Sequence, residues 1–196
     1  MAKVTPEKNK IILEVVRLSF PQLFRAKAFK PTDEPSFSGS FLMNKETDAE
    51  QIVEIRKLMT KVAHEKWGPT LPKGIKLCLR SGDEPGKEDT DGYGPEIMFV
   101  SASSKKKVPI VDESVAPLGE EDGKMYAGCY VNVSLRLWAQ DNEFGKRVNA
   151  QLLAVQYACE GEAFGEAPIN VNEEFSAIEG TTGGEAASSD EGSLLG

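Results

Sequence analysis

The chain has 196 residues, 40% of them hydrophobic, which is enough for one packed core with a remainder left over. No apolar run is long enough to span a bilayer, so no membrane association is expected, and the opening MAKVTPEKNK lacks the apolar stretch of a secretory leader. The formal net charge of −8 is unevenly spread: residues 1–158 hold all 23 Lys and Arg against 22 Asp and Glu, whereas residues 159–196 hold nine carboxylates and no cation. The average alone would exclude a polyanionic partner; a near-neutral body (1–158) with an acidic tail (159–196) does not.

Cys78, Cys129 and Cys159 are odd in number, widely spaced and apart from any histidine cluster, so free thiols in a reducing compartment are expected, with no disulfide framework and no zinc site. One histidine leaves little scope for His-centred acid–base chemistry, and the sequence holds no G-x-S-x-G elbow, P-loop or H-E-x-x-H. An enzyme is not expected, and neither is a metal or cofactor.

Residues 10–18, KIILEVVRL, are apolar and β-branched and predict a first strand, which Pro21 should stop because proline cannot donate to a ladder. Residues 19–30 interleave Phe20, Phe24 and Phe29 with Arg25, Lys27 and Lys30. This is either a basic binding loop or a loop pinned to the core by its rings. Residues 36–43 alternate Phe37, Gly39, Phe41 and Met43 against Ser36, Ser38 and Ser40, a second strand in which Gly39 marks a bulge or bend.

Residues 47–67 predict the main helix. Thr47 and Glu50 read as a capping box, Ile52, Ile55, Met59 and Val62 form one apolar stripe, and Gly68-Pro69 ends it; His64 in the last turn reads as a surface residue. Residues 75–80, IKLCLR, predict a third strand with Ile75, Leu77 and Leu79 inward and Lys76 and Arg80 outward. The acidic loop 81–94 does not match the calcium-ligand spacing of an EF-hand. Residues 96–101 predict a fourth strand. Lys105, Lys106 and Lys107 follow as the densest cationic run, which suits either a solvated turn or a phosphate track.

After a polar connector over 111–124 comes AGCYVNVSLRLWA, residues 127–139. Read with a period of two, Cys129, Val131, Val133, Leu135 and Leu137 face one way, and Tyr130, Asn132, Ser134, Arg136 and Trp138 the other. The second face joins two rings to a guanidinium. It fits either half-buried packing or an open surface on which bases stack and a cation meets phosphate. Residues 140–145 read as a hairpin loop. Residues 146–157 return as the last strand, with Arg147 and Tyr157 extending the same face. Beyond 159 the low-complexity composition predicts a largely disordered acidic tail.

VRLSFPQLFRAKAF, SFSGSFLM, EKWG, LRSGDE and YAGCYVNVSLRLWAQDN, in that order over residues 17–157, resemble the tailed-phage single-stranded DNA-binding protein family, with its Enterobacter phage member as the near match. The resemblance implies a mainly β OB-fold, a five-stranded antiparallel barrel with one helix between the middle strands. It implies a non-enzymatic role in phage DNA replication, recombination or repair, in the cytoplasm of the infected bacterium. Single-stranded DNA is the expected partner, with weak duplex binding as a side property and phage replication proteins met through the tail. The tail closes on SSDEGSLLG, thinly acidic, with Leu194 and Leu195 where replicative binders carry an aromatic.

The resemblance maps no site, so the candidate DNA-binding residues follow from alternation and charge. Tyr130 and Trp138 would stack bases. Arg136, Arg147, Lys105, Lys106, Lys107, Lys76 and Arg80 would meet phosphates, with Arg25, Lys27 and Lys30 at the rim and Asn132 and Tyr157 on the same face. Two other functions fit the residues: a general DNA or RNA coat that also grips duplex, and an OB-type protein-interaction module.

Overall fold

The computed structural model describes residues 2–28, 30–143 and 145–165; Phe29 and most of the expected disordered tail, residues 166–196, lie outside the described residues. In chain order the strands are β1 (Lys3–Thr5), β2 (Lys10–Lys27), β3 (Ser36–Asn44), β4 (Lys76–Leu77), β5 (Leu79–Ser81), β6 (Ile97–Ser104), β7 (Ile110–Val111), β8 (Tyr130–Asn142) and β9 (Gly145–Cys159), with the helix α1 (Ala49–Trp67) between β3 and β4. Five of them close on themselves in the order β9-β8-β2-β3-β6-β9, and the closing pair, β6 with β9, is parallel. This is the mainly β, OB-type barrel with a single main helix.

Closure depends on β2 serving two neighbours. Its first half pairs with β8 (Lys10↔Arg136 to Arg17↔Tyr130) and its second with β3 (Arg17↔Leu42 to Lys27↔Ser36). Its pairing shifts register three times, the last between Gln22 and Lys27, and the first two shifts are bulges at left-handed residues that turn the strand. One lies between Leu13 and Val16, where Val15 takes a positive φ of 54°; the other lies between Ser19 and Gln22, where Phe20 takes a φ of 47°. Each costs roughly 1–2 kcal/mol for a non-glycine residue in the left-handed region, and bulges increase local twist and bend the strand. The first is held by Asn132, whose Oδ1 accepts the Val15 amide at 2.8 Å while its Nδ2 donates to Gln156 Oε1 at 3.0 Å. Pro21 therefore does not end the strand as expected. It sits inside the second register shift, where no ladder amide is required. Gly39 is not the bulge either, since β3 pairs with β6 without interruption. A Cβ there would press on Leu18 and Phe41 at 3.3 Å, so its role is close packing.

The inward residues of β8, Val131, Val133, Leu135 and Leu137, are all buried, as is Cys129 just before it. They meet Ile11, Leu13, Leu18, Phe41, Met43, Val100, Leu152 and Val155 in one core, onto which α1 lays Ile52, Ile55, Met59 and Val62. The helix does not start with the expected capping box. Asp48 is the N-cap and makes no capping bond; its carboxylate accepts the Asn44 amide and the Gln51 side-chain amide instead. Gln51, itself buried, locks the helix to the barrel: its Oε1 accepts the Glu14 amide at 2.8 Å and its Nε2 donates to the Glu14 carbonyl at 2.9 Å.

The expected third strand is two short pieces that change partner at Cys78. β4 pairs with β9, and β5 pairs with β6. Leu77 is therefore exposed rather than inward, while Cys78 and Leu79 are buried. The hairpin between β8 and β9 is also tighter than expected, with only residues 143 and 144 between the strands and Phe144 outside the described residues. Tyr157 does not extend the outer face of β9. Between Leu135↔Leu152 and Ser134↔Ala154 the strand gains one residue, which inverts its phase and brings Tyr157 into the core at 5% exposure. Among the described residues no helix is long and apolar enough to cross a membrane.

Gln51→Leu should cost about 1–3 kcal/mol by leaving the Glu14 peptide without its partner, read as a lower urea midpoint at unchanged slope. Burial, and then the Glu160 carboxylate, push the Tyr157 phenol up to about 12 from the ordinary 10.0. The folded state thus disfavours the phenolate. Its contribution to stability is full below pH 10 and is lost as pH rises towards 12. Absorbance titration should show one late phenol, absent in Tyr157→Phe.

Candidate nucleic-acid interface

β6 and β9 touch over a short stretch, Ala102↔Ala150 and Ser103↔Gln151. Away from that contact the two strands part, and β4 and β5 fill the opening, one hydrogen-bonded to each. The seam so formed is an open groove of about 810 Å³. Its floor is Ser101 and Ser103 of β6 and Asn149 and Gln151 of β9; Lys76, Arg80, Lys105, Lys106 and Arg147 line it, with Trp138 beside them.

Six expected residues are therefore brought together from five separate stretches of chain. No carboxylate lines the groove among the described residues. From outside it, Glu84 pairs with Arg80 at 3.3 Å and Glu34 pairs with Lys105, which lowers the Glu34 carboxyl below its usual range. Trp138 is 44% exposed, standing outward from a strand whose other face is sealed in the core. Asn149, opposite Trp138, donates its Nδ2 diagonally across the pair to Gln140 Oε1 at 2.8 Å. The second indole, Trp67, donates to Asp141 at 2.9 Å. Lys146, and then that indole, hold the Asp141 carboxyl low, tying the end of α1 to the β8–β9 hairpin.

The other expected residues lie elsewhere. Arg136 is exposed on the same face of β8 as Trp138, one outward position away, and Lys107 is exposed beyond the groove wall. Lys30 is exposed in the turn that carries Glu34. Arg25 and Lys27 line a separate cleft of about 450 Å³, where Arg25 pairs with Glu120 at 2.9 Å. Asn132 is engaged in holding the β2 bulge, and Tyr157 is in the core. Tyr130 keeps the outward phase of Trp138, but eight residues of strand, roughly 26 Å at about 3.3 Å per residue, separate the two. It lines a third cleft, of about 410 Å³, with Val15, Arg17, Leu42 and Asn44.

The polar floor was not anticipated, although Asn149 and Gln151 continue the outward alternation of Arg147 along β9. Arg17 was missed as well. Its guanidinium lies over Phe164 at 4.3 Å and Tyr130 at 5.8 Å, and it donates to the Glu162 carbonyl at 2.7 Å, strapping residues 162–164 against the barrel. Among the described residues no group of His, Cys, Asp or Glu is placed to hold a metal ion. Burial pushes the Cys78 thiol up to about 12, and all three cysteines are free.

The profile of the family described as "Enterobacter phage Enc34, ssDNA-binding protein" matches residues 9–187. Putative protein p50 of Acyrthosiphon pisum secondary endosymbiont phage 1 is 34% identical over 175 residues, covering 85% of this chain and 92% of that protein. The single-stranded DNA-binding protein from bacteriophage Enc34, solved in complex with ssDNA, superposes with a TM-score of 0.71 at 24% identity, covering 83% of this chain and 96% of its own. The bacteriophage T7 single-stranded DNA-binding protein gp2.5 superposes at 0.52 with 13% identity, covering 87% and 99%. The barrel is shared with the two solved phage proteins, and by the extent of the profile match and its likeness to p50 the chain belongs to the Enc34-type phage single-stranded DNA-binding family.

Proposed function

We propose that this chain coats single-stranded DNA without reading its sequence, and that the groove between β6 and β9 is where the strand lies. The observation that carries this is the convergence of Lys76, Arg80, Lys105, Lys106 and Arg147 on one open groove beside an outward indole. The solved Enc34 relative, taken with ssDNA, supports the same partner. A base stacks on Trp138 through its π-face, which every base has, and the cations meet phosphate oxygens, which carry no sequence information. Arg136 and Lys107 extend the cationic border. Binding of this kind protects single strands during phage replication, recombination and repair in the cytoplasm of the infected host. It requires no covalent step, and the protein acts as a binder, not an enzyme.

The acidic tail, with nine carboxylates and no cation over residues 159–196, competes with DNA for the groove and holds down weak duplex binding.

Trp138→Ala should weaken oligo-dT binding roughly 5- to 150-fold, the value of about 1–3 kcal/mol of stacking, and should abolish most of the tryptophan quenching on titration. For single strands the logarithm of affinity falls with the logarithm of salt by about 0.7 per phosphate met, so Lys106→Ala should flatten that slope by about 0.7 while Trp138→Ala leaves it unchanged. Deleting the residues after Gly180 should tighten binding, most at low salt, where the tail is least screened; equal affinity across the salt series would remove the tail from the mechanism.

A further inference from the structure

The second bulge of β2 does more than bend the strand. It turns Phe20 outward, leaving the ring 53% exposed on a left-handed backbone. An aromatic half in water at such a position gains little for folding: apolar area stays wet, and the backbone conformation is one that side chains rarely adopt. Strained, exposed residues of this sort concentrate where a ligand is met.

The surroundings of Phe20 specify the ligand. Lys87 Nζ lies 4.9 Å from its ring centroid and 4.7 Å from that of Tyr93. Phe20 and Tyr93 are 6.2 Å apart, and Tyr93 stands edge-on to Phe99 at 5.0 Å. Lys87 makes no ion pair with a carboxylate among the described residues. Three acids of the same loop are engaged elsewhere: Glu84 with Arg80, Glu88 with the Gly86 amide, and Asp91 with the Gly165 amide.

This platform is continuous with the groove. Arg80 lines the groove, reaches Ser101 at 3.4 Å and covers Phe99 at 4.5 Å. Phe99 in turn supports Tyr93 and lies 5.8 Å from Lys87. A chain leaving the groove past Arg80 would meet a second cation and a second open ring in succession.

Resting on the single-stranded DNA reading above, we infer that Phe20 stacks a further base of the strand held in the groove, with Lys87 on the adjoining phosphate. The bound stretch is thereby lengthened beyond the groove by way of Arg80. The occupant is single-stranded DNA, because an exposed ring beside an ammonium that no described carboxylate neutralises serves a base and its phosphate together.

The test is affinity against length, using full-length protein and an oligo-dT series from about 4 to about 16 nucleotides, the range of sites on one OB-fold. Wild type should gain affinity as the strand becomes long enough to pass Arg80. Phe20→Ala should match wild type on the shortest strands that bind and lose that gain, about 5- to 150-fold on the longest. Phe20→Trp should keep the gain and add quenching that appears only with the longer strands. Equal affinity of Phe20→Ala and wild type at every length, alongside weakened binding by Trp138→Ala, would overturn this subsite and leave the groove standing. An equal loss at every length, or a Phe20→Trp variant that fails to recover the gain, would also overturn it. Absence of binding by wild type to any oligo-dT would instead overturn the single-strand reading itself.

Discussion

The barrel exists because one strand, β2, is hydrogen-bonded to β8 along its first half and to β3 along its second. A flat strand of that length would carry both neighbours outward as an open sheet. Two bulges, at Val15 and Phe20, supply the turn, at the expense of two left-handed backbone positions that lack glycine. The Asn132 amide, fastened between Val15 and Gln156, holds the first. From that bend follow the meeting of β6 with β9, the sealed core and the seam that becomes the groove.

Closure also gathers cations from distant parts of the chain into one groove. Parallel strands at the closing seam pair only at Ala102↔Ala150 and Ser103↔Gln151. Where they part, the short segments β4 and β5 bring in Lys76 and Arg80 from a region distant in sequence, and the turn after β6 brings in Lys105 and Lys106. Cations crowded in this way repel one another, which a folded domain tolerates only at a cost in stability. Glu34, paired with Lys105, and Glu84, paired with Arg80, relieve part of that repulsion. The groove is thus part-neutralised by one exposed and one half-buried carboxylate at its edge.

A second theme is the division of the outward aromatics. Trp138 stands open, Tyr130 lies with Arg17 and the strapped residues 162–164 at the far end of the same strand, and Tyr157 is inside. The rings do not form one continuous stripe along β8 and β9. Strand twist and length separate the first two, and a single extra residue in β9 withdraws the third.

Much of this was legible without coordinates. Alternation through Cys129–Leu137 identified a strand with one face in the core, because successive side chains of a strand point to opposite sides wherever pairing is regular. The apolar stripe of α1 and the isolation of all cations before residue 159 were equally plain. Tertiary structure alone decided which outward face stays uncovered and which of the scattered Lys and Arg face it, since those depend on pairings between residues far apart in the chain. It alone placed the bulges, where one additional residue reverses inside and outside with no trace in local periodicity. Pro21 inside a strand, Leu77 in water and Tyr157 in the core all follow from that: the period of two is a local property, and its phase is set by the partner strand.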